Sequence, residues 1–316
     1  MEKKEKVRKI IYRILACLLT VALAGFLLLR LTYVTRDKTY SWMHDEFNRL
    51  RRGKADTFFV GNSHSFCSIS TDLLWGEYGI NSFMMSTSGQ TLAMDYYAIQ
   101  EIEKYQDCKT VYLEMSYAIH DWNTINDEMS HMFFDGMKFG SIKREAVKEL
   151  IEKDSRIYYY LPLGQFHSRA TTLTQTDYVR NDSPYGSFYS EVIFNSWPIT
   201  VVDKDIKAPM TENSVYYLDK IVDFCREHDI ELVLWTAPYN AMYETEYDEG
   251  VLRESQAVYN GIEDYAAEKG LKYYNLFHDV EKIGFNYALD FMDSQHLNCN
   301  GQSKLTTYMV ENGYIE

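Results

Sequence analysis

Residues 58–70 read FFVGNSHSFCSIS, an apolar run that stops at Gly61 and gives way to small, hydrogen-bonding residues. With Asp56 and Thr57 ahead of it, the run has the composition of a short buried strand, and the glycine marks the turn out of it. Two readings of that turn are open. Ser63 is either a nucleophile presented at a strand end or one polar residue of an ordinary loop.

Working outward, four more runs share the apolar, aromatic and β-branched character that buried parallel strands require: INSFMM (80–85), KTVYLEM (109–115), IELVLWTA (230–237) and LKYYNLF (271–277). Helical patterns lie between them. In 211–228, Val215, Leu218, Val222 and Cys225 recur at steps of three and four, and 91–104 and 252–269 behave similarly. Alternating strand and helix predicts an α/β fold, a three-layer sandwich around a mainly parallel sheet, with its ligand site at the carboxyl ends of the strands. Gly61 to Ser65 sit at such an end. Residues 116–210 break the spacing and are rich in Tyr, Ser and Thr, so they read as an insertion beside the active-site edge, serving either as a lid or binding wall or as a structural excursion.

The N-terminus carries a separate signal. MEKKEKVRK is basic, and ILACLLTVALAGFLLL, Ile14 to Leu29, is an uncharged apolar run. With its apolar flanks the stretch approaches the roughly 20 residues that cross a bilayer, and Arg13 and Arg30 can snorkel to the headgroups. Lys3, Lys4, Lys6, Arg8 and Lys9 precede the span, so the positive-inside rule predicts a single-pass protein of the cell membrane with a cytoplasmic N-terminus. ALA at 22–24 resembles a signal-peptide cleavage site, but apolar residues continue past it, which favours an uncleaved anchor. The predicted organisation is a basic tail and anchor (1–35, with 14–34 in the bilayer), a juxtamembrane linker or short helix (36–55), and an extracytoplasmic domain (56–316).

Composition sets limits on partners. Lys and Arg total 32 against 46 Asp and Glu, a formal net charge of −14, so nucleic acid is not expected as a ligand. The 27 Tyr and 16 Phe suit either a sugar-binding cleft or an aromatic core. The five cysteines, at 17, 67, 108, 225 and 299, show no zinc spacing and lack the density of a disulfide scaffold, so they read as isolated thiols. There is no HExxH, and HD at 120–121 and 278–279 has no companions at ligand spacing, so neither a metal nor another cofactor is expected.

A serine hydroxyl needs a base to take its proton, and the base works best when a third group fixes its tautomer. DSQHLNCNGQSK (293–304) supplies Asp293 and His296 three residues apart, just before a predicted last helix. Ser63, Asp293 and His296 then form a triad in chain order Ser, Asp, His. His64 is too close along the chain to be presented to the Ser63 hydroxyl, and reads as a structural or wall residue. Glu114, at the end of the third strand, is either a carboxylate behind the site or a cap.

VGNSHS (60–65), STSGQT (86–91), VYLEMS (111–116) and DSQHLNCNGQSK (293–304), in that order and beside those elements, resemble the SGNH or GDSL-type hydrolase superfamily. The branch they resemble is the membrane-anchored cell-envelope one, which includes the alginate O-acetylation proteins and the D-alanyl teichoic-acid transfer protein. The resemblance implies that Ser63 is the nucleophile, His296 the general base and Asp293 its orienting acid. It also implies an oxyanion hole from backbone N–H groups at Ser63 and Gly89, with Gln90 as a side-chain donor. Two departures stand out. Asn62 replaces the common Asp, and the GxND block is absent after the third strand, leaving Asn123 as a weak substitute.

The implied activity is acyl transfer through an acyl-serine, to water in an esterase or to a sugar hydroxyl in an O-acyltransferase, on an envelope polysaccharide, teichoic acid or glycan. The resemblance also implies a multi-spanning membrane-bound O-acyltransferase as partner. The competing reading is a non-catalytic polymer-binding or scaffold subunit of an envelope acylation complex, which the missing Asn block favours and the complete triad opposes.

Overall fold

All five apolar runs form strands in the computed structural model, which describes residues 2–36, 42–119, 127–178 and 184–316. They are β1 (Thr57–Gly61), β2 (Ser82–Ser86), β3 (Thr110–Glu114), β4 (Glu231–Thr236) and β5 (Lys272–Asn275). Every pairing is parallel, in the order β2-β1-β3-β4-β5. Parallel neighbours need crossovers long enough for a helix, and the helices cover both faces of the sheet. Helix Leu92–Tyr105 packs on β1 and against helix Glu212–Glu227, while helix Glu246–Lys269 packs on β5. The expected α/β architecture is the one observed.

Register sets the core. Phe58 pairs with Phe83 across β1 and β2, and their rings lie 6.3 Å apart. One residue on, Phe59 pairs with Tyr112 of β3 and the rings stack at 4.9 Å. Successive β1 side chains thus fill opposite faces of the sheet, and β1 is buried along its whole length.

Because β1 lies between β2 and β3, the chain leaves it in one direction and returns on the other side. That switch point opens a crevice at the carboxyl ends, where ligands of such sheets bind.

Of the two readings of residues 36–55, linker or short helix, a short helix is present over 42–49. Helix Trp42–Arg49 packs on β2, with Met43 and Phe47 buried and the Phe47 ring 5.8 Å from Phe83. The 116–210 stretch is divided. Among the described residues, 153–178 belong to one compact unit with residues 2–36, and the remainder to the unit that contains the sheet.

In the smaller unit, helix Glu2–Thr35 is long and apolar enough to cross a membrane, with apolar side chains from Ile10 to Leu31 exposed. At its end Arg169 donates to the carbonyls of Thr35 and Arg36 and pairs with Asp177 at 2.8 Å. Those are the carbonyls that a helix end leaves without intrahelical partners. The five cysteines carry no disulfide.

Candidate active site

The chain turns at the end of β1 because Gly61 has φ +149°, and a Cβ there would sit 2.8 Å from the Cβ of Glu114. Only glycine lets β1 and β3 approach so closely. Asn62 follows as the cap of helix Ser63–Ser68, its Oδ1 accepting from the His64 N–H at 2.8 Å. Its Nδ2 donates to Glu114 Oε2 at 3.0 Å and to Ser116 Oγ at 2.9 Å. An Asp could accept as Asn62 does but could not donate to the Glu114 carboxylate, so the departure from the common motif is matched to its neighbour.

Glu114 joins three strand ends. Besides Asn62 it accepts from the Ser116 hydroxyl at 2.6 Å, the Ser116 N–H at 3.1 Å and the Ala237 N–H, just beyond β4, at 3.3 Å. Burial pushes its carboxyl up to about 7, and these donors work against that rise. Glu114 thus ties the residue after β1 to the turns after β3 and β4.

Ser63 occupies the first helical position, where a backbone N–H has no intrahelical acceptor. Its Oγ lies 2.9 Å from His296 Nε2, and His296 Nδ1 lies 2.9 Å from Asp293 Oδ2. Partial burial works to raise the Asp293 carboxyl. The His296 ring and the N–H groups of Gln295 and His296 outweigh it and hold the group below the usual carboxylate range. An ionised carboxylate only accepts, so in the neutral form of the ring the proton belongs on Nδ1 and the Nε2 lone pair is left for the serine hydroxyl. The structure brings Ser63, Asp293 and His296 together in the geometry of a nucleophile, a base and an orienting acid.

The helices lock this arrangement. The Met292 N–H donates to the His296 carbonyl at 2.9 Å, closing the Asp293 loop on itself. Asn298 then caps helix Cys299–Glu311 through Asn300 N and Gly301 N, and donates to the carbonyls of Val192, Leu289 and Phe291. From the same helix, Gln302 Nε2 donates to the carbonyls of Phe66 at 2.8 Å and Ile69 at 3.1 Å, at the far end of the helix that carries Ser63.

No protein-family model matches the chain, and no curated protein matches it. Solved structures with similar chains include one from Bacteroides fragilis NCTC 9343, put forward as an acylhydrolase, which is 9% identical to this chain. The match covers 86% of this chain and 93% of that one, with a TM-score of 0.43.

The remaining expected site residues fare differently. Gly89 adopts φ +68° in the loop after β2, and because Gly61 pairs with Ser86 this loop lies beside the one bearing Ser63. Gln90 is not the side-chain donor expected. Its two amide hydrogens go to Asp95 Oδ1 at 2.7 Å and the Met85 carbonyl at 3.3 Å, and its Oε1 accepts from Thr87 at 3.0 Å. Gln90 holds a buried carboxyl in the turn; burial pushes Asp95 well above the usual range, and the Gln90 hydrogen bond works against that. Asn123 lies outside the described residues.

Sequence reasoning missed the ring sandwich. His64 stacks on Tyr239 at 4.3 Å on one side and on His296 at 5.2 Å on the other. Burial and the neighbouring His296 drive its pKa down to about 3, so it stays neutral beside His296. No local pattern announces a partner 175 positions away (239 minus 64).

Proposed function

We propose that the protein is a membrane-anchored, serine-dependent acyltransferase or esterase acting on a cell-envelope glycan through an acyl-serine. The observation that carries this reading is the unbroken hydrogen-bonded chain from Ser63 Oγ through His296 to Asp293 at the crevice beside β1.

As Ser63 Oγ attacks the acyl carbonyl of a donor ester, its proton passes to His296 Nε2, and the imidazolium gives that proton to the departing alkoxide. An acceptor hydroxyl, from water or a sugar, then loses its proton to His296 and attacks the acyl-serine, and His296 reprotonates Ser63 as it leaves. Asp293 steadies the imidazolium in both halves. Backbone N–H groups of Ser63 and Gly89 bind the developing oxyanion, a role in which preorganised donors contribute a large share of rate. The neutral state of His64 suits this chemistry, because a second cation beside the imidazolium would oppose its formation.

In this reading residues 1–35 anchor the chain with the N-terminus in the cytoplasm, and residues 56–316 work on the other side. A multi-spanning O-acyltransferase that carries acyl groups across the bilayer is the partner implied by resemblance.

The test is intact-mass analysis of the full chain after exposure to p-nitrophenyl acetate or a fluorophosphonate. One adduct is expected, absent from Ser63→Ala and slowed in His296→Ala. A folded wild type that takes no adduct would sink the catalytic reading and leave the scaffold one.

A further inference from the structure

Beside the proposed triad lies a cavity of about 340 Å³ that His64 helps to line. It shares a wall with the proposed base, since Gln295 lines it and His64 stacks on His296. We infer that this cavity is a subsite for one uncharged pyranose unit of a glycan, the ring whose hydroxyl is brought to Ser63 and His296. Its role as acceptor site rests on the acyl-transfer reading, but its occupancy by a sugar does not.

Size comes first. The volume lies at the low end of small-molecule sites, room for one ring and not for a stretch of polymer. Shape and chemistry come next. Tyr117, Tyr239 and Tyr247 line the cavity, and the C–H face of a pyranose packs on aromatic rings while its hydroxyls need donors and acceptors at the edge. Those are present. Tyr117 and Tyr247 carry hydroxyls as well as ring faces. Ser255 and Gln295 stand on the same lining.

Charge selects among sugars. Among the described lining residues there is no lysine or arginine, His64 is held neutral by burial, and the carboxylate present is Asp248. Helix Glu246–Lys269, which starts at the cavity, offers an anion nothing either. Thr245 caps it, and Glu246, Asp248 and Glu249 occupy its first turn, so the positive end of the helix dipole is already answered. A uronate or phosphate in the cavity would lose water and meet a carboxylate with no counter-charge.

The experiment compares methyl β-D-glucopyranoside with methyl β-D-glucuronide, which differ in one CH2OH against one carboxylate. Saturation-transfer NMR on the full chain in phospholipid nanodiscs avoids sugar-headed detergents and reads binding whether or not Ser63 is acylated. The expected result is saturation of the glucoside, at least ~10-fold weaker response from the glucuronide, and loss of the glucoside signal in Tyr247→Ala. Tyr247 is 79% exposed, so its truncation leaves the core intact. Val251→Trp, which fills the mouth instead of removing a wall, should abolish the same signal. Equal binding of the two sugars, no binding of either, or glucoside binding that survives both variants would overturn the inference. An absent Ser63 adduct alongside Tyr247-dependent glucoside binding would instead sink catalysis and keep the sugar site.

Discussion

The imidazole of His64 lies nearly parallel to that of His296, with centroids 5.2 Å apart and planes 24° from each other, and Tyr239 covers its far side. Burial holds one histidine of the stack without charge beside the other, which meets the Ser63 hydroxyl.

This stack makes acid stability diagnostic. The folded pKa of His64 is depressed to about 3 from an ordinary value of 6.5, so the neutral ring contributes its full stability above the unfolded pKa. That contribution is lost as pH falls from about 6.5 towards 3, because the unfolded chain binds the proton first. Between pH 7.5 and 4.5 the loss is ~3 kcal/mol from this group. Glu114, raised to about 7, works in the opposite sense in part of that window, its stability contribution being lost as pH rises through 7. The measurement is therefore a difference: urea unfolding at both pH values, read by the buried Trp235, in wild type and in His64→Phe. The variant keeps a ring against Tyr239 and should show an acid loss smaller by about that amount.

Asp293→Asn should leave the loop folded and the serine slow. An amide at 293 can accept from the Gln295 and His296 N–H groups but no longer enforces the proton on Nδ1 of His296. The expected drop in acylation rate is roughly 10²–10⁴-fold with little change in melting temperature. Stopped-flow release of p-nitrophenol gives the rate; an unchanged rate would remove Asp293 from the proposed machinery.

Gln302→Leu tests the clamp between the last helix and the helix of Ser63. Two buried carbonyls, of Phe66 and Ile69, lose their donor, at a cost of about 2–3 kcal/mol. Acylation should slow as well, because the variant loosens the support that holds Ser63 2.9 Å from His296. Equilibrium unfolding and burst kinetics on one preparation separate the two effects.

Gly61→Ala places a methyl group 2.8 Å from the Glu114 Cβ at a backbone angle of φ +149°. Both strand ends would have to part, costing roughly 2–4 kcal/mol. A melting temperature within a degree of wild type would contradict the close approach.

The fold was legible because its strands are short, buried on both faces and bounded by turns, so composition alone marks them. Helix Glu246–Lys269 shows where that signal stops. It begins six residues ahead of the apolar period at Leu252, with an exposed, acidic first turn that carries no stripe. The proposed triad was drawn from two local motifs, GNSHS and DSQH, whose spacing and order suggested a partnership, and its side chains lie in hydrogen-bond reach, Ser63 of His296 and His296 of Asp293. Gln90 shows the limit of that method. A glutamine next to a glycine in the right loop looks like a donor for the crevice, and only the position of Asp95, five residues on, reveals where its amide points. At 42–49 the charges left a linker and a short helix equally open, and Met43 and Phe47, one turn apart, are the side chains that the helix buries.

The Asp293 turn forms the carboxylate and imidazole pair within four consecutive residues, whereas Ser63 joins it from 233 positions earlier. The pair is therefore a local cassette, and only its meeting with the serine requires the whole domain. As the chain is synthesised, the proposed nucleophile emerges with the first strand and stays chemically idle until nearly all of the chain has followed. In the proposed topology, a chain exported as it is made would carry this serine past the ribosome and across the bilayer with no imidazole beside it.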